Sequence, residues 1–282
     1  MHTLCLAAVL CATALGAPES AAGGAADGFE VGALAPARLR GSASGRRLGG
    51  YDVGRTTSDL GESLRRREES STYAVYVSKQ QSKLAQHSEK IKAIDVARQD
   101  QVRREFAALS GGVVSSFAAK TVLCLGARLG GEVRAFKALG AVALGIDLEP
   151  GHGNMDVVAG DFHAIPFPDA AFDFAYSNVL DHIFDTLRFG REVARVVKPG
   201  GVFFASLYPG GSTGGNDAWT AQGAASLDNK PAFLKTMAAC GFDLVHQVTL
   251  QEDMDLTESM PNARNPIWHQ TINTVYLKRR PD

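Results

Sequence analysis

The sequence predicts an α/β fold in which a seven-stranded, mostly parallel sheet carries helices on both faces and ends in an antiparallel strand. From about residue 121 onward, short runs of β-branched and aliphatic residues alternate with longer segments of helical periodicity, which is the βαβ pattern of a parallel sheet. The last two apolar runs, 242–250 and 271–277, follow each other without a helical segment between them. Strands joined in this way pair antiparallel, so the final strand should run against the others.

The bounds of the elements follow from the same patterns. A glycine turn after the first strand opens a helix that reaches Leu139, and Pro199 with the two glycines after it ends a later helix. We expect strands at 121–125, 142–146, 156–159, 172–177, 202–207, 242–250 and 271–277, and further helices at 187–197 and 231–239.

Residues 73–110 are predicted to form a helical segment ahead of the sheet. From about Ser78 to Leu109, apolar residues recur on one helical face, and Lys, Gln, Arg and Glu fill the other. We expect one or two helices that pack on the following domain, residues 111–282. A lid over the mouth of a ligand cleft is the alternative, because the segment comes directly before the first strand.

The first 72 residues lack the patterns of a folded domain. An almost unbroken apolar run over 4–17 is followed by small residues, which predicts a signal peptide or a short membrane anchor over 1–17. Residues 18–72, rich in Gly, Ala, Ser and Arg, are expected to be a disordered linker. We therefore expect the secretory pathway or endomembranes, with membrane association through the N-terminus as one outcome. A two-part plastid-targeting sequence is the alternative, although acidic residues in the linker count against it.

The composition disfavours several classes of function. A hydrophobic content of 45% and a charged content of 21% are those of a globular protein, and a net charge of −1 gives no electrostatic reason to expect a nucleic-acid partner. After residue 11 only Cys124 and Cys240 remain, so neither a zinc spacing nor a disulfide framework is available, and no metal is expected. A bridge between the two is disfavoured because Cys124 lies in the middle of a predicted buried strand.

The turn after the first strand has the residues of a ligand-binding turn. It contains Gly126, Gly130 and Gly131. Glycine lets the chain reverse sharply and lets its backbone approach a ligand without a Cβ in the way. The helix that follows begins with unpaired N–H groups, which suit a carboxylate or a phosphate. A tight turn without a ligand is the alternative.

Two acidic residues follow the next two strands. Asp147 ends the second strand, about twenty residues after the turn, where a carboxylate can accept both hydroxyl groups of a ribose. Asp161 follows the third strand, beside the same crevice, where it can accept from an adenine amino group while Phe162 supplies an apolar wall. Carboxyl ends of parallel strands meet at one sheet edge, so these side chains should face one cleft.

Further polar residues end the fourth strand, and each has two interpretations. His182 is the best candidate for a general base, since its unperturbed pKa is near neutral; it could equally be a helix-start histidine satisfied by packing or by Asp181 or Asp185. Asn178 is a candidate contact to acceptor or cofactor, or the cap of the next helix. His163 could reach the crevice, but a turn residue is the simpler interpretation.

These motifs, taken together, resemble those of class I S-adenosylmethionine-dependent methyltransferases of the small-molecule type. The resemblance covers about residues 111–282 and implies a Rossmann-like fold. More narrowly, residues 126–133 with 178–182 are similar to a group of plant methyltransferase-like proteins. The motifs, in order, are the glycine turn from Gly126, Ile-Asp at 146–147, Gly-Asp-x-x-x-x-Pro-Phe at 160–167, Phe-Asp-x-x-x-x-Asn at 172–178 and Val-Val-Lys-Pro-Gly-Gly at 196–201.

The resemblance implies S-adenosyl-L-methionine as the cofactor and assigns residues to it. Gly126 and Gly130 would shape the pocket for the methionine moiety, Asp147 would bind the ribose, and Asp161 with Phe162 would bind the adenine. The complete set of expected cofactor contacts is Gly126, Ala127, Arg128, Gly130, Asp147, Leu148, Asp161, Phe162, Ser177 and Asn178.

Two residues depart from the family's pattern. The acid usual in the first strand is Cys124 here, and the middle glycine of the turn is Arg128. The acid would normally help to hold the α-amino group of the cofactor, so that contact is left unassigned. Arg128 could grip the cofactor's carboxylate bidentately, point to solvent, or pair with Glu132.

The function that the resemblance implies is methyl transfer to an unidentified small molecule, with His182 and Asn178 as catalytic candidates. A Gly-rich segment at 208–229 is either an acceptor loop or a plain flexible loop. The alternatives are an inactive methyltransferase-like binding module, which Cys124 and Arg128 favour, and an NAD-dependent oxidoreductase. No Asn-Pro-Pro-Tyr run is present, so a nucleic-acid substrate is not expected.

Overall fold

A computed structural model of the chain describes residues 73–107, 112–209, 225–257 and 267–281. The predicted signal peptide or anchor at 1–17 and the predicted linker at 18–72 lie outside the described residues. So does most of the Gly-rich segment, 210–224. Within the four described ranges, no helix combines the length and the apolar character that a membrane span requires.

Seven strands form one sheet within the described residues. In chain order they are β1 (Thr121–Leu125), β2 (Val142–Asp147), β3 (Val157–Ala159), β4 (Phe172–Ser177), β5 (Val197–Leu207), β6 (Phe242–Asp255) and β7 (Ile267–Arg279). Across the sheet the order is β3-β2-β1-β4-β5-β7-β6. The first five strands pair in parallel, and β7 runs antiparallel to both β5 and β6. The predicted mostly parallel sheet with an antiparallel last strand is confirmed.

Helices cover both faces of the sheet, as the sequence predicts. They are α1 (Tyr73–Gln86), α2 (Ser88–Ala107), α3 (Gly131–Ala138), α4 (Thr186–Val196) and α5 (Lys230–Ala239), with a short 3-10 helix at Leu180–His182. One apolar cluster contains Phe189 of α4 and Met237 of α5. The cluster on the other face contains Phe106 of α2 and Phe136 of α3. The C-terminal part of α2, with Val102 and Phe106, is therefore part of the core.

β5 begins earlier than the sequence predicts. The Pro-Gly-Gly run after α4 was expected to separate helix from strand, but Val197 already pairs with Phe172 of β4. The pairing shifts register before Phe174, and Gly200 has a positive φ of 77°. The run is thus an irregular start of the strand, a conformation that glycine permits.

β6 and β7 are also longer than predicted. β5 pairs with β7 only as far as Leu207 and Asn273, whereas β6 and β7 continue to pair as far as Asp255 and Ile267. Beyond the end of β5 the two strands continue as a two-stranded ribbon. The added length of β6, Gln-Glu-Asp-Met-Asp at 251–255, is mainly polar, so alternating hydrophobicity did not reveal it.

A close approach joins α2 to α3. The side chain of Asp95 on α2 accepts a hydrogen bond of 2.7 Å from the N–H of Gly131, the first residue of α3. Arg134 of α3 donates to the other oxygen of the same carboxylate. The backbones lie so near that a Cβ at Gly131 would overlap the carbonyl oxygen of Asp95. Glycine is therefore required there by packing.

We expect Gly131→Ala to lower the free energy of unfolding by about 1–3 kcal/mol, because the added methyl group must push α2 away from α3. Urea denaturation of the full chain measures the change. Val96→Ala, at an exposed position of α2, is the control and should change the stability by no more than about 0.5 kcal/mol. Equal midpoints for the wild type and Gly131→Ala would contradict the close approach.

Candidate functional site

A cavity of about 250 Å³ lies at the carboxyl ends of β1, β2 and β4, beneath α1 and α2. From the sheet side it is lined by most of the residues that the sequence predicts for the site. Gly130 and Ser177 are not among the lining residues: Gly130 makes the turn into α3, and the Ser177 hydroxyl donates to the carbonyl oxygen of Leu125. The predicted residues that do line it are Gly126, Ala127, Arg128, Asp147, Leu148, Asp161, Phe162, Asn178 and His182.

The glycine turn is fastened to β2 through its backbone. The N–H groups of Gly126 and Ala127 both donate to the carbonyl oxygen of Ile146, at 2.8 and 3.1 Å. Gly126 has a φ of 74°, and a Cβ there would overlap the side chain of Val179. The turn therefore lies close against the start of the next loop, as the sequence pattern requires.

Asp147 is oriented by two backbone donors. One carboxylate oxygen accepts from the N–H of Arg128 at 3.1 Å, and the other accepts from the N–H of Glu149 at 2.9 Å. The residue is only 8% exposed, yet it lines the cavity. A carboxylate has about four lone-pair sites, so these two bonds leave acceptor capacity for hydroxyl groups of a ligand.

The side chain of Arg128 does not pair with Glu132 or point to solvent. Its guanidinium donates to the carbonyl oxygen of Gln80 on α1 at 3.1 Å and lies 3.6 Å from Asp147. Both of those sequence interpretations are wrong, because α1 lies over the turn and its Gln80 carbonyl oxygen accepts from the guanidinium. A contact to a cofactor carboxylate stays a prediction.

Asp161 is held by a histidine that was predicted to be a simple turn residue. Its Oδ1 accepts from the N–H and from Nδ1 of His163, at 2.8 and 3.0 Å. On the other side of the ring, Nε2 accepts from the N–H groups of Phe184 and Asp185, each at 3.2 Å. Since Nε2 accepts, the proton belongs on Nδ1, where it points to Asp161. His163 therefore connects the third-strand loop to the loop after β4.

The lid helix α1 also contacts Asp161. The hydroxyl group of Tyr73 donates to Oδ2 of Asp161. Burial alone would raise the pKa of Asp161, but the hydrogen bonds from His163 and Tyr73 outweigh it and hold that pKa below its ordinary value. Asp161 is thus an anion that already has strong donors, one of them from the lid.

Glu132 is a buried carboxyl group in the first turn of α3. It lines the cavity and is 8% exposed. Its Oε1 accepts a hydrogen bond of 3.0 Å from Nδ2 of Asn178. Burial raises the pKa of Glu132 to about 7, although the positive charge of Arg98 and the bond from Asn178 act in the opposite direction. Glu132 is therefore a titratable acid facing the ligand space near neutral pH.

Asn178 is not a helix cap. The next α-helix, α4, is capped by Asp185, whose side chain accepts from the N–H of Arg188 at 3.0 Å. The 3-10 helix between them has no side-chain cap. The capping interpretation of Asn178 is wrong, because its amide instead reaches across the cavity floor to Glu132.

His182 lies at the end of the 3-10 helix, on the wall of the cavity. Its Nδ1 is 3.5 Å from Nε2 of Gln80, and its Nε2 is 3.7 Å from a carboxylate oxygen of Asp181. Tyr76 of α1 donates to its carbonyl oxygen at 3.0 Å. The ring is therefore near Asp181, as one interpretation expected, and also faces the ligand space under α1.

Several lining residues were not predicted as site residues. Most of them come from α1 and α2, while Glu132 belongs to the helix after the turn and His163 to the loop after β3. Both interpretations of the helical segment hold: α2 packs on the domain, and the two helices also cover the cavity. The unpredicted lining residues with polar groups include Tyr73, Tyr76, Gln80, Asp95, Arg98, Glu132 and His163.

The domain around this cavity is similar to a known protein family. Residues 123–205, which run from within β1 to within β5, match the model of a methyltransferase domain. This segment of the chain is therefore similar to methyltransferase domains. The resemblance that the motifs carry is thereby confirmed at the level of the domain, and the similarity to plant methyltransferase-like proteins stays a prediction.

Known proteins are similar to this domain over different lengths. A demethylmenaquinone methyltransferase from Corynebacterium kroppenstedtii is 40% identical over 87 residues, which are 28% of this chain and 38% of that protein. A chain of the complex between the Haloferax volcanii Trm112 methyltransferase activator and a methyltransferase aligns with 17% identity and a TM-score of 0.52, covering 72% of this chain and 97% of that one. A Burkholderia thailandensis 1,6-didemethyltoxoflavin-N1-methyltransferase aligns with a TM-score of 0.47 at 16% identity, over 82% of this chain and 93% of that one. The Haloferax alignment shows that the domain around the cavity has the predicted Rossmann-like fold.

We expect the stability of the protein to fall with rising pH because of Glu132. Its folded-state pKa of about 7 lies above the ordinary value of 4.5, so the native state keeps a proton that the unfolded chain releases, and the free energy of unfolding decreases between those pH values. The decrease should reach about 3 kcal/mol. Glu132→Gln cannot ionise and should lack this component.

The measurement is urea denaturation of the wild type and Glu132→Gln at pH 5 and at pH 8. The free energy of unfolding of the variant minus that of the wild type should be larger at pH 8 than at pH 5, by most of the expected decrease of about 3 kcal/mol. Other groups titrate in both proteins, so only the difference between them is used. A difference that stays constant across the two pH values would contradict the raised pKa.

Proposed function

We propose that this protein transfers the methyl group of S-adenosyl-L-methionine to a small-molecule acceptor bound under α1 and α2. One observation carries the proposal: the glycine turn, Asp147 and Asp161 all line one cavity at the carboxyl edge of the sheet. In open α/β sheets this edge is where nucleoside-containing ligands bind. The match to a methyltransferase domain supports the choice of cofactor.

The residues present suit the nucleoside part of that cofactor. Asp147 keeps acceptor capacity for the ribose hydroxyl groups, and Phe162 with Leu148 supplies apolar surface for the adenine. The cavity of about 250 Å³ is slightly smaller than ligand pockets of roughly 300–1,000 Å³. Binding would therefore shift α1, whose residue Tyr73 occupies one oxygen of Asp161.

The cofactor supplies an electrophilic methyl group on a sulfonium, so the protein needs chiefly to position the acceptor in line and exclude water. Tyr76 and the rest of α1 close the cavity above His182. His182 lines the cavity, where it would take a proton from an acceptor hydroxyl or amine. Asp181, 3.7 Å from its Nε2, would favour the protonated ring after that transfer.

An inactive binding module is the second candidate, because Cys124 stands where the family has an acid. Such a module would bind the cofactor weakly or not at all and would transfer no methyl group. An oxidoreductase would use the same turn and Asp147, but the sequence contains no Tyr-x-x-x-Lys pair for it. Cofactor binding and methyl transfer separate the three functions.

We expect the full chain to bind S-adenosylhomocysteine with a Kd in the micromolar range, and Asp147→Ala to weaken that binding at least 10-fold, because the ribose loses its acceptor. Isothermal titration calorimetry measures both. Asp243→Ala, at an exposed carboxylate, is the matched control and should bind as the wild type does. Preference for NADH, or no binding to either ligand, would overturn the proposal.

We expect His182→Asn to lower kcat by roughly 10²–10⁴-fold when the acceptor must lose a proton, with little change in affinity for S-adenosylhomocysteine. Transfer of a labelled methyl group to the small molecules of a source-organism lysate, with a demethylmenaquinone included because of the Corynebacterium relative, identifies an acceptor for the assay. An unchanged kcat would remove His182 from the chemistry.

We propose further that residues 1–17 direct the protein to the secretory pathway or endomembranes, either as a cleaved signal peptide or as an anchor. The support is the apolar run over 4–17 followed by small residues. A C-terminal fluorescent fusion of the full chain should co-localise with endomembrane markers and become diffuse when residues 1–17 are removed. Plastid fluorescence would favour the two-part targeting sequence, and an unchanged pattern on removal would contradict both.

A further inference from the structure

The buried thiol of Cys124 cannot supply the negative charge that an acid at its position would supply. Cys124 is 1% exposed and packs in the apolar cluster between the sheet and α2 and α3. Burial raises its pKa well above the ordinary value, and the nearby charge of Glu132 raises it further. The thiol therefore stays neutral, and an ammonium group in the cavity would find no partner there.

Glu132 lies close to that position and does reach the cavity. Val133, the residue after Glu132, packs in the same apolar cluster as Cys124, so Glu132 lies near the end of β1. Unlike Cys124, it lines the ligand space. A second acid at 124 would repel it, which gives a physical reason for the chain to have one acid here and not two.

The groups around Glu132 orient it without neutralising it fully. Asn178 donates to one carboxyl oxygen, and the positive charge of Arg98 on α2 acts on it. Arg98 itself donates to Gln101 and to the Tyr208 hydroxyl. The negative charge of Asp95 adds to burial in raising the pKa of Glu132. The charge of Glu132 in turn raises the pKa values of Cys124, Tyr176 and Tyr208.

We infer that Glu132 has taken over the acidic role that Cys124 cannot fill, and that it binds the α-ammonium group of the cofactor's methionine moiety. Asn178 positions the carboxylate for that contact. The inference rests on the proposed function, since it concerns the same cofactor. Burial disfavours the ionised form of Glu132, and an ammonium group bound at its carboxylate would stabilise that form.

The test compares three probes on the full chain by calorimetry at pH 8. They are S-adenosylhomocysteine, its desamino analogue, which keeps the carboxylate but lacks the ammonium group, and 5′-methylthioadenosine, which lacks both. The wild type should bind the desamino analogue roughly 10- to 100-fold more weakly than S-adenosylhomocysteine. Glu132→Gln should bind those two probes with similar affinity, and it should bind 5′-methylthioadenosine as the wild type does.

A matched variant separates this role from a general effect of losing a buried acid. Glu105→Gln also removes a buried carboxyl group from the domain, but Glu105 is not a lining residue of the cavity and bonds to Thr274. It should keep the wild-type discrimination among the probes. Thermal denaturation without ligand verifies that each variant is folded.

The outcomes distinguish this inference from the proposed function. Equal loss of affinity for all three probes in Glu132→Gln means that Glu132 only shapes the pocket, and overturns the inference. Undiminished discrimination against the desamino analogue in that variant overturns it too, while the proposed function stands. If the wild type binds no S-adenosylhomocysteine, the proposed function fails and the inference fails with it.

Discussion

The hydrogen bonds that Asp147 accepts from the backbone N–H groups of Arg128 and Glu149 are the constraint on which the site depends. They join the end of β2 to the glycine turn after β1, so the two neighbouring strands present one rigid edge to a ligand. Because the donors are backbone groups, the carboxylate is oriented whatever side chains occupy positions 128 and 149. The turn can therefore contain an arginine where the family has a glycine and still keep its place beside the acid.

The helices ahead of the sheet complete that edge. Polar side chains of α1 reach the groups that the motifs put there: Tyr73 contacts Asp161, and Tyr76 contacts the backbone of His182. Arg128 in turn donates to the backbone of α1. The carboxylates of Asp147 and Asp161 and the covering helix thus form one hydrogen-bonded system, in which a ligand would compete with the protein's own donors.

Sequence patterns predicted the sheet, its final antiparallel strand and Asp147 and Asp161, because strand periodicity and the order of motifs fix which residues end at the same edge. They did not predict Tyr73 or Arg98 as site residues, since only the tertiary placement of α1 and α2 brings those side chains to the cavity. Glu132 could have been found from the sequence. It lies in the first turn of the helix that follows the glycine turn, and it is the acidic residue nearest in sequence to Cys124. The length of the β6–β7 ribbon lacked a clear signal, because the added end of β6 at 251–255 is mainly polar.

The two covering helices are held in place by different forces. α2 is anchored by Asp95 at Gly131, and at its other side by apolar packing of Ala93 against Leu256 beyond the end of β6. α1 belongs to neither large apolar cluster: it buries Tyr76 and Gln80, and its Tyr73 packs edge-on against Phe184 and donates to Asp161. Hydrogen bonds exchanged for water cost little free energy, whereas apolar surface withdrawn from a core costs more. The break between the helices at His87 therefore separates α2, which core packing holds in place, from α1, which can be displaced at a lower cost in free energy. A ligand would enter the cavity most easily from the side of α1.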